Sequence, residues 1–166
     1  RLCEEVQKIL QCGFSLKIFK KLRRYGVLKY FMPTISRRLT KNSSLEGFCK
    51  EIDGYNLKGS VLADNALIAL LGLFYLQDLK RRPGKESKVR RFLLDSQSDF
   101  MIELGVFRKR IPDILTLQEL ILLALPSWGF AEAKYQVRWC FKNVEFDHLR
   151  QSLRFLQRMG IITDAN

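Results

Sequence analysis

The sequence predicts an all-α protein, an irregular bundle of about seven to nine helices around one buried central helix. Residues 61–79 carry this prediction, because between Ala66 and Leu76 no charged or strongly polar side chain occurs on any helical face. A helix that is apolar all round must be surrounded by protein. The apolar run falls well short of the roughly 20 residues that span a bilayer, so a core helix is favoured over a membrane span. Apolar residues also recur at helical spacing in several other segments.

The first 60 residues predict two amphipathic helices followed by a looser connection. Residues 1–11 form the first helix, with Glu4 and Lys8 paired one turn apart. The second helix carries an apolar stripe on one side and a basic stripe beside it. The apolar stripe consists of Phe14, Ile18, Leu22 and Tyr25. Residues 40–59 are rich in glycine, asparagine and serine, which predicts a flexible connection with one short helix near residues 45–52.

Three more helices are predicted after the central one. A turn at Arg82-Pro83-Gly84 precedes a helix over residues 88–104, and Pro112 suits the first turn before an apolar helix over residues 114–125. The last helix covers residues 145–156 and ends before Gly160, with Phe146, Leu149, Leu153 and Leu156 as its buried face. An aromatic cluster lies between these two helices: Trp128, Tyr135, Trp139 and Phe141.

The charge of the chain is strongly positive and unevenly distributed. Twenty-nine Lys and Arg residues stand against 17 Asp and Glu, giving a net charge of +12, which favours a polyanionic partner such as nucleic acid. Between Glu5 and Glu46 there are ten basic residues and no acidic one. Solvated surfaces usually mix both signs, so this one-sidedness is stronger evidence for a binding surface than the total charge.

The types and spacing of the residues favour neither a metal site nor a catalytic site. The cysteines have no zinc-ligand spacing, and the chain has one histidine, His148, so we predict no metal site. Cys3, Cys12, Cys49 and Cys140 are instead typical of small core residues in a reduced compartment. With no signal or transit sequence, the expected location is cytoplasmic. Ser98 and Asp99 lie far from His148 in sequence, and we assign no catalytic residue to this chain.

A resemblance to a known family covers most of the chain and is densest at its start. Over residues 1–35 the shared positions are Arg1, Leu2, Glu4, Glu5, Val6, Lys8, Leu10, Gly13, Leu22, Tyr25, Leu28, Phe31, Pro33, Thr34 and Ile35. The pattern resembles the end of the neck and the start of the body of bacterial poly(A) polymerases, relatives of the CCA-adding tRNA nucleotidyltransferases. The resemblance implies a neck end and first body helices over residues 1–39 and a helical RNA-binding body over residues 40–166. Because the chain begins without Met inside a predicted helix, we expect it to be the carboxy-terminal part of a longer protein.

The resemblance also implies a function. The chain would position an RNA 3′ end for template-independent addition of AMP from ATP by a catalytic head absent from this sequence. ATP and Mg²⁺ would belong to that head, and this chain would hold neither. Gly59-Ser60 and Asp64 resemble part of the head's catalytic element, but no Asp-x-Asp pair follows, so we regard them as a coincidence. The expected partner is RNA, either a single-stranded 3′ end or tRNA, and no membrane.

Two other functions stay open. One is the corresponding part of a CCA-adding tRNA nucleotidyltransferase, and the other is a non-catalytic protein-interaction module with a basic face. The predicted RNA contacts are Lys17, Lys20, Lys21, Arg24, Arg81, Arg82, Arg108, Lys109, Arg110, Arg150 and Arg154. For each of them the alternative is an ordinary solvated surface. Four aromatic residues are candidates for stacking on unpaired bases, with core packing as the alternative: Tyr25, Tyr30, Trp128 and Trp139.

Overall fold

A computed structural model describes residues 2–80, 88–125, 128 and 146–162. Within these ranges the chain forms nine α-helices, one 3₁₀ helix and no strand, which confirms the all-α prediction. The first five helices are α1 Leu2–Gln11, α2 Ser15–Arg24, α3 Leu28–Phe31, α4 Pro33–Arg38 and α5 Ser44–Leu57. The others are α6 Asp64–Leu79, α7 Val89–Leu104, the 3₁₀ helix Arg108–Arg110, α8 Ile111–Leu123 and α9 Phe146–Arg158.

Helix α6 is the centre of the bundle, as its sequence predicts. Every residue from Ala66 to Leu76 is buried. The helix packs against α5, α7, α8 and α9, with further contacts to α1 and α4. One continuous core therefore joins both sides of the predicted boundary at residue 39, and the division into two domains stays a prediction. Among the described residues, none of the helices has both the length and the apolar character needed to cross a membrane.

Helix α5 confirms the helix predicted near residues 45–52 but is longer, so the flexible connection predicted for most of residues 40–59 was wrong. The helix is 14 residues long and begins at a capping serine, Ser43, whose hydroxyl accepts a hydrogen bond from the Glu46 amide. Its buried side chains recur at steps of three and four: Leu45, Phe48, Cys49 and Ile52. Their burial against neighbouring helices outweighs the unfavourable helix propensity of the glycines and asparagine in the segment.

The buried faces of α2 and α9 differ from the predicted apolar stripes. Phe14 and Tyr25 are 54% and 67% exposed, while α2 buries Phe19. Phe14 precedes the helix and its backbone is not helical, so it does not share the helical spacing. In α9, Phe146 is 57% exposed and Phe155 is buried. Both helices are short and rich in large apolar residues, so more than one stripe fits the sequence and packing selects among them.

Helix α1 forms over its predicted range with a different surface ion pair. Lys8 donates a hydrogen bond of 2.8 Å to Glu5, three residues earlier, and not to the predicted partner Glu4. This bond is the main reason that the pKa of Lys8 is raised above its ordinary value. Both partners are exposed, so the pair contributes little to stability.

The cysteines follow the core prediction in part. Cys3 and Cys49 are buried, and burial raises the pKa of Cys49 to about 12. Cys12 is exposed at the end of α1, where its thiol contacts the Ile9 carbonyl, so it is not a core residue. Cys140 lies outside the described residues.

A carboxylate from α6 caps the amino end of α5. The Asp78 side chain accepts hydrogen bonds from the amides of Ser44 at 2.6 Å and Leu45 at 3.0 Å. Asp78 lies in the last turn of α6, where the dipole of its own helix disfavours a negative charge. Its position is explained by the positive amino end of α5, which a carboxylate stabilises.

Two further carboxylates cap helices in the same way. Asp53 of α5 accepts from the amides of Ser15 at 2.6 Å and Leu16 at 3.0 Å, at the start of α2. Glu103 of α7 accepts from the Thr34 amide at 3.1 and 3.0 Å, and also from its hydroxyl, at the start of α4. These acids lie far from their partners in sequence, so the helices of the bundle are tied together through their ends.

Replacing Asp78 by alanine is expected to lower the free energy of unfolding by about 1–2 kcal/mol, the usual range for a lost amino-terminal cap. The amides of Ser44 and Leu45 lose their acceptor. Urea denaturation followed by circular dichroism measures the change. Asp78→Asn, which keeps one acceptor without the charge, should fall between the wild type and Asp78→Ala. Equal stability of all three proteins would show that the cap contributes nothing.

A pair of buried glutamines joins α6, α7 and α8. Gln97 and Gln118 donate to each other at 3.0 and 2.9 Å, and each also donates to a backbone carbonyl, of Leu93 at 3.2 Å and of Ala69 at 2.9 Å. Both side chains are fully buried. They fit because α6 has a glycine opposite them: a Cβ at Gly72 would lie 2.2 Å from the Gln97 side-chain oxygen.

Some predicted features lie outside the described residues. These are the turn at Arg82-Pro83-Gly84 and three members of the aromatic cluster, Tyr135, Trp139 and Phe141. The fourth member, Trp128, is buried against Phe74 of α6, with ring centroids 5.3 Å apart in an edge-to-face arrangement.

Candidate nucleic-acid interface

Helix α2 presents a row of free cations to solvent. It contains no acidic residue, and its buried side is anchored by Phe19. Lys17, Lys21 and Arg24 recur at steps of four and three and are exposed. Among the described residues, no carboxylate lies within 4.0 Å of these three side chains. The amphipathic character of the helix therefore fixes a basic face on the protein surface.

A groove runs beside this row, between α2 and the segment that joins α4 to α5. Its volume is about 1020 Å³. Five cations and one carboxylate line it: Lys20, Arg23, Arg24, Lys41, Lys50 and Glu46. Such a concentration of one sign of charge in a concave surface raises the local positive potential and attracts polyanions.

Two of the five cations that line the groove have structural roles. Lys20 forms an ion pair with Glu46, and Arg23 donates to the Leu39 carbonyl at the end of α4. Glu46 also accepts a hydrogen bond of 2.6 Å from the Asn42 amide. The bond from Lys20, followed by that from Asn42, lowers the pKa of Glu46, so this carboxylate is charged at neutral pH. Lys20, a predicted RNA contact, is thus partly neutralised.

Five cations in or next to the groove have no such partner. Lys41 and Lys50 are exposed in the groove, and among the described residues no carboxylate lies within 4.0 Å of either. The five unpaired cations are Lys17, Lys21, Arg24, Lys41 and Lys50, which we call the groove cations. Sequence analysis missed Lys50 because it lies in the segment predicted to be a flexible connection. Lys41 was the last member of the acid-free run and could have been found there.

The position of the acids explains why the groove cations are unpaired. Asp53, Asp78 and Glu103 all point at helix amino ends, where backbone amides bind them. Acids used as caps do not reach the neighbouring surface cations. The contacts that join the helices thus also keep these three carboxylates away from the groove cations.

Two tyrosines next to α2 are exposed and available for stacking. Tyr25 follows α2 and is 67% exposed, and Tyr30 of α3 is 77% exposed. The Lys29 ammonium lies 5.1 Å from the centroid of the Tyr30 ring. Phe31 is also exposed and was not among the predicted stacking residues. Trp128 is buried, so core packing accounts for it, and Trp139 lies outside the described residues.

The three predicted contacts in the 3₁₀ helix differ in exposure. Arg108 and Lys109 are exposed in the 3₁₀ helix, and their RNA contact stays a prediction. Arg110 faces inward: its Nε donates to the Asn65 side chain at 3.0 Å, and its Nη2 is buried. Because Asn65 lies in the first turn of α6, Arg110 joins the 3₁₀ helix to the central helix, and the structure gives its RNA contact no support.

Of the remaining predicted contacts, Arg150 and Arg154 are described by the structure and do not line the groove. Arg150 is paired with Asp147 at 3.7 Å on the exposed side of α9, and Arg154 is exposed on the same helix. Arg81 and Arg82 lie outside the described residues.

The acidic residue that resembles part of a nucleotidyl-transfer element, Asp64, has a structural contact. That reaction uses carboxylates that hold two metal ions. Asp64 instead accepts a hydrogen bond of 3.3 Å from Gln11 at the start of α6. Within the described ranges no three His, Cys, Asp or Glu side chains gather where they could hold a metal ion.

Comparison with known proteins gives one match. Residues 1–39 match a family model described as "Probable RNA and SrmB-binding site of polymerase A". A search of curated proteins and a search of solved structures each found no match. The matched segment contains α1 to α4, including Lys17, Lys21 and Arg24, and ends at Leu39 on the groove. The match supports an RNA-binding region of the poly(A) polymerase type over these residues.

Proposed function

We propose that this chain is the RNA-binding helical part of a bacterial poly(A) polymerase, acting in the cytoplasm. Its groove would hold the RNA behind the 3′ end, while a catalytic head elsewhere in the protein adds AMP from ATP. ATP and Mg²⁺ belong to that head in this proposal. The observation that carries it is the set of groove cations, three of which lie on α2 in the segment that matches the RNA-binding family.

The groove cations suit an RNA whose sequence varies. Lys and Arg contacts to phosphates fix the position of a strand without reading its bases. The exposed rings of Tyr25 and Tyr30 add stacking, which every base accepts and which is worth about 1–3 kcal/mol per base. Tolerance of sequence is what an enzyme that extends many RNA 3′ ends requires.

The affinity for unstructured single-stranded RNA is expected to fall steeply with salt. If all five groove cations contact phosphates, log K should fall with log salt at a slope of roughly −3.5. Lys21→Gln together with Arg24→Gln should reduce the magnitude of the slope by about 1.4. Fluorescence anisotropy over a salt series measures both slopes.

A matched pair of substitutions serves as the control. Lys8→Gln together with Arg91→Gln removes the same net charge, but from cations that are already paired with Glu5 and Asp95. This variant should keep the wild-type slope. An affinity that ignores salt and both pairs of substitutions would contradict RNA binding by the groove and favour a protein-interaction module. Clear preference for folded tRNA over unstructured RNA would favour the CCA-adding relative.

A further inference from the structure

We propose that the RNA path continues out of the groove, along the exposed face of α5, into a second pocket between α5 and α9. This inference rests on the proposed function and names the part of the body that the strand crosses. None of the residues that carry it lies in the segment that matches the RNA-binding family, residues 1–39.

Helix α5 links the two cavities through one face. Gly47, Lys50, Gly54 and Lys58 follow one another at steps of three and four, which places them on the same side of the helix. Gly47 and Lys50 line the groove, whereas Gly54 and Lys58 line a second pocket of about 450 Å³. Glu51, which lines the second pocket, shares this face, so the face that joins the two cavities carries two lysines and one carboxylate.

The two glycines on this face have no explanation within the chain. A glycine inside a helix costs about 0.5–1 kcal/mol relative to alanine. Such a residue is usually retained for a positive φ or for close packing. Neither glycine has a positive φ, and a Cβ at Gly47 or Gly54 would meet nothing within 4 Å. Gly72 is different, because its missing side chain makes room for two glutamines.

The missing side chains leave a strip of bare helix backbone open to solvent. Gly47 and Gly54 are seven residues apart, or roughly 10 Å along the helix axis. Absent side chains allow a ligand to approach the backbone closely. Lys50 lies between the two glycines and is exposed, and the described residues place no carboxylate within 4.0 Å of it. Glu51 is also exposed and lies on this side of the helix, so a sugar-phosphate backbone on the strip would meet the Lys50 cation and pass beside one carboxylate.

The second pocket has the charge that a phosphate requires. Lys58 and Arg158 line it, and in the described part of the chain neither forms an ion pair. The Arg158 guanidinium is held 5.0 Å from the centroid of the Tyr55 ring, which fixes its position at the pocket. Glu51 is the one acidic residue among the described residues of the lining, so the cations are in excess.

The test measures how the affinity of the full chain depends on the length of unstructured single-stranded RNA. For the wild type, affinity should rise until the strand is long enough to occupy both the groove and the pocket. Lys58→Gln should reduce the magnitude of the salt slope by about 0.7 for long strands and leave it unchanged for short ones. Gly54→Leu should weaken the binding of long strands several-fold by covering the bare backbone.

Gly54→Leu also controls for folding. Leucine is a much better helix former than glycine, and a Cβ at this position meets no described atom within 4 Å, so the variant should be at least as stable as the wild type. Ser98→Leu, which adds the same side chain to an exposed position of α7, should bind RNA of every length as the wild type does.

The outcomes separate this inference from the proposed function. If Gly54→Leu and Lys58→Gln bind long strands like the wild type, while Lys21→Gln with Arg24→Gln weakens binding, the path ends at the groove and this inference is wrong. If the groove substitutions have no effect either, the proposed function fails as well.

Discussion

Replacing Gly72 by alanine is expected to lower the free energy of unfolding by about 2–4 kcal/mol, although alanine favours helix. The new Cβ would lie 2.2 Å from the Gln97 side-chain oxygen and 2.7 Å from the Gln118 side-chain nitrogen. Both amides are fully buried, so they can move away only by giving up hydrogen bonds. A buried amide without a partner costs about 1–3 kcal/mol. Thermal and urea denaturation measure the loss.

The matched control is the same change in α5. Gly54→Ala meets no atom within 4 Å and should raise the free energy of unfolding by about 0.5–1 kcal/mol. The two substitutions are chemically identical and differ in sign because of what faces each glycine.

A double substitution identifies the cause of the loss at Gly72. Gly72→Ala combined with Gln97→Ala removes the nearer of the two side chains that the new Cβ meets, so the double variant should lose less stability than the two single losses added together. Additive losses would show that the glutamine pair is not what Gly72 accommodates.

Leu70→Ala is expected to cost about 2–5 kcal/mol, the range for truncating a large side chain in a closed core. Leu70 is fully buried in the middle of α6, where helices on several sides contact that helix. The surroundings of a helix enclosed in this way cannot collapse into the cavity without moving several other helices. Equilibrium denaturation in urea gives the change in free energy.

A surface substitution provides the reference for Leu70. Arg150→Glu changes an exposed residue of α9 whose pair with Asp147 is long, at 3.7 Å, and should alter stability by no more than about 0.5 kcal/mol. A loss at Leu70 as small as that at Arg150 would mean that α6 is not the centre of the fold.

The central helix could be predicted because its sequence allows one interpretation. An unbroken apolar run has no exposed face, so its burial does not depend on the neighbouring helices. The faces of α2 and α9 are different, because Phe14 and Phe146 fit the helical spacing almost as well as Phe19 and Phe155, and only packing decides between them.

Helix α5 and the glutamine pair each left a pattern in the sequence that predicts more than we inferred from it. The buried residues of α5 follow helical spacing through a segment whose glycines and asparagines suggest a loop. In α7, Gln97 stands four residues after Leu93 and four before Met101, both of which are buried. A polar residue in an apolar register predicts a buried partner, but a single sequence does not say that the partner is Gln118 in α8.

For the candidate site, the sequence predicted the charge but not its pairing. The acid-free run identified Lys17, Lys21 and Arg24, which are exposed and have no ion-pair partner in the part of the chain that the structure describes. It did not show that Lys20 meets Glu46 or that Arg110 turns inward, because those contacts join segments that are distant along the chain. Whether the groove cations bind RNA stays a prediction.

The caps of α2 and α4 have a consequence for where the RNA-binding surface comes from. Asp53 and Glu103, which hold the first turns of these helices, both lie beyond the family-matched residues 1–39. A peptide that stops at Leu39 would leave those amides without acceptors and strip Phe19 and Leu10 of the rest of their common core. The matched segment therefore does not hold its fold without the helices that follow it. For this reason, a test of RNA binding by this segment requires those helices as well.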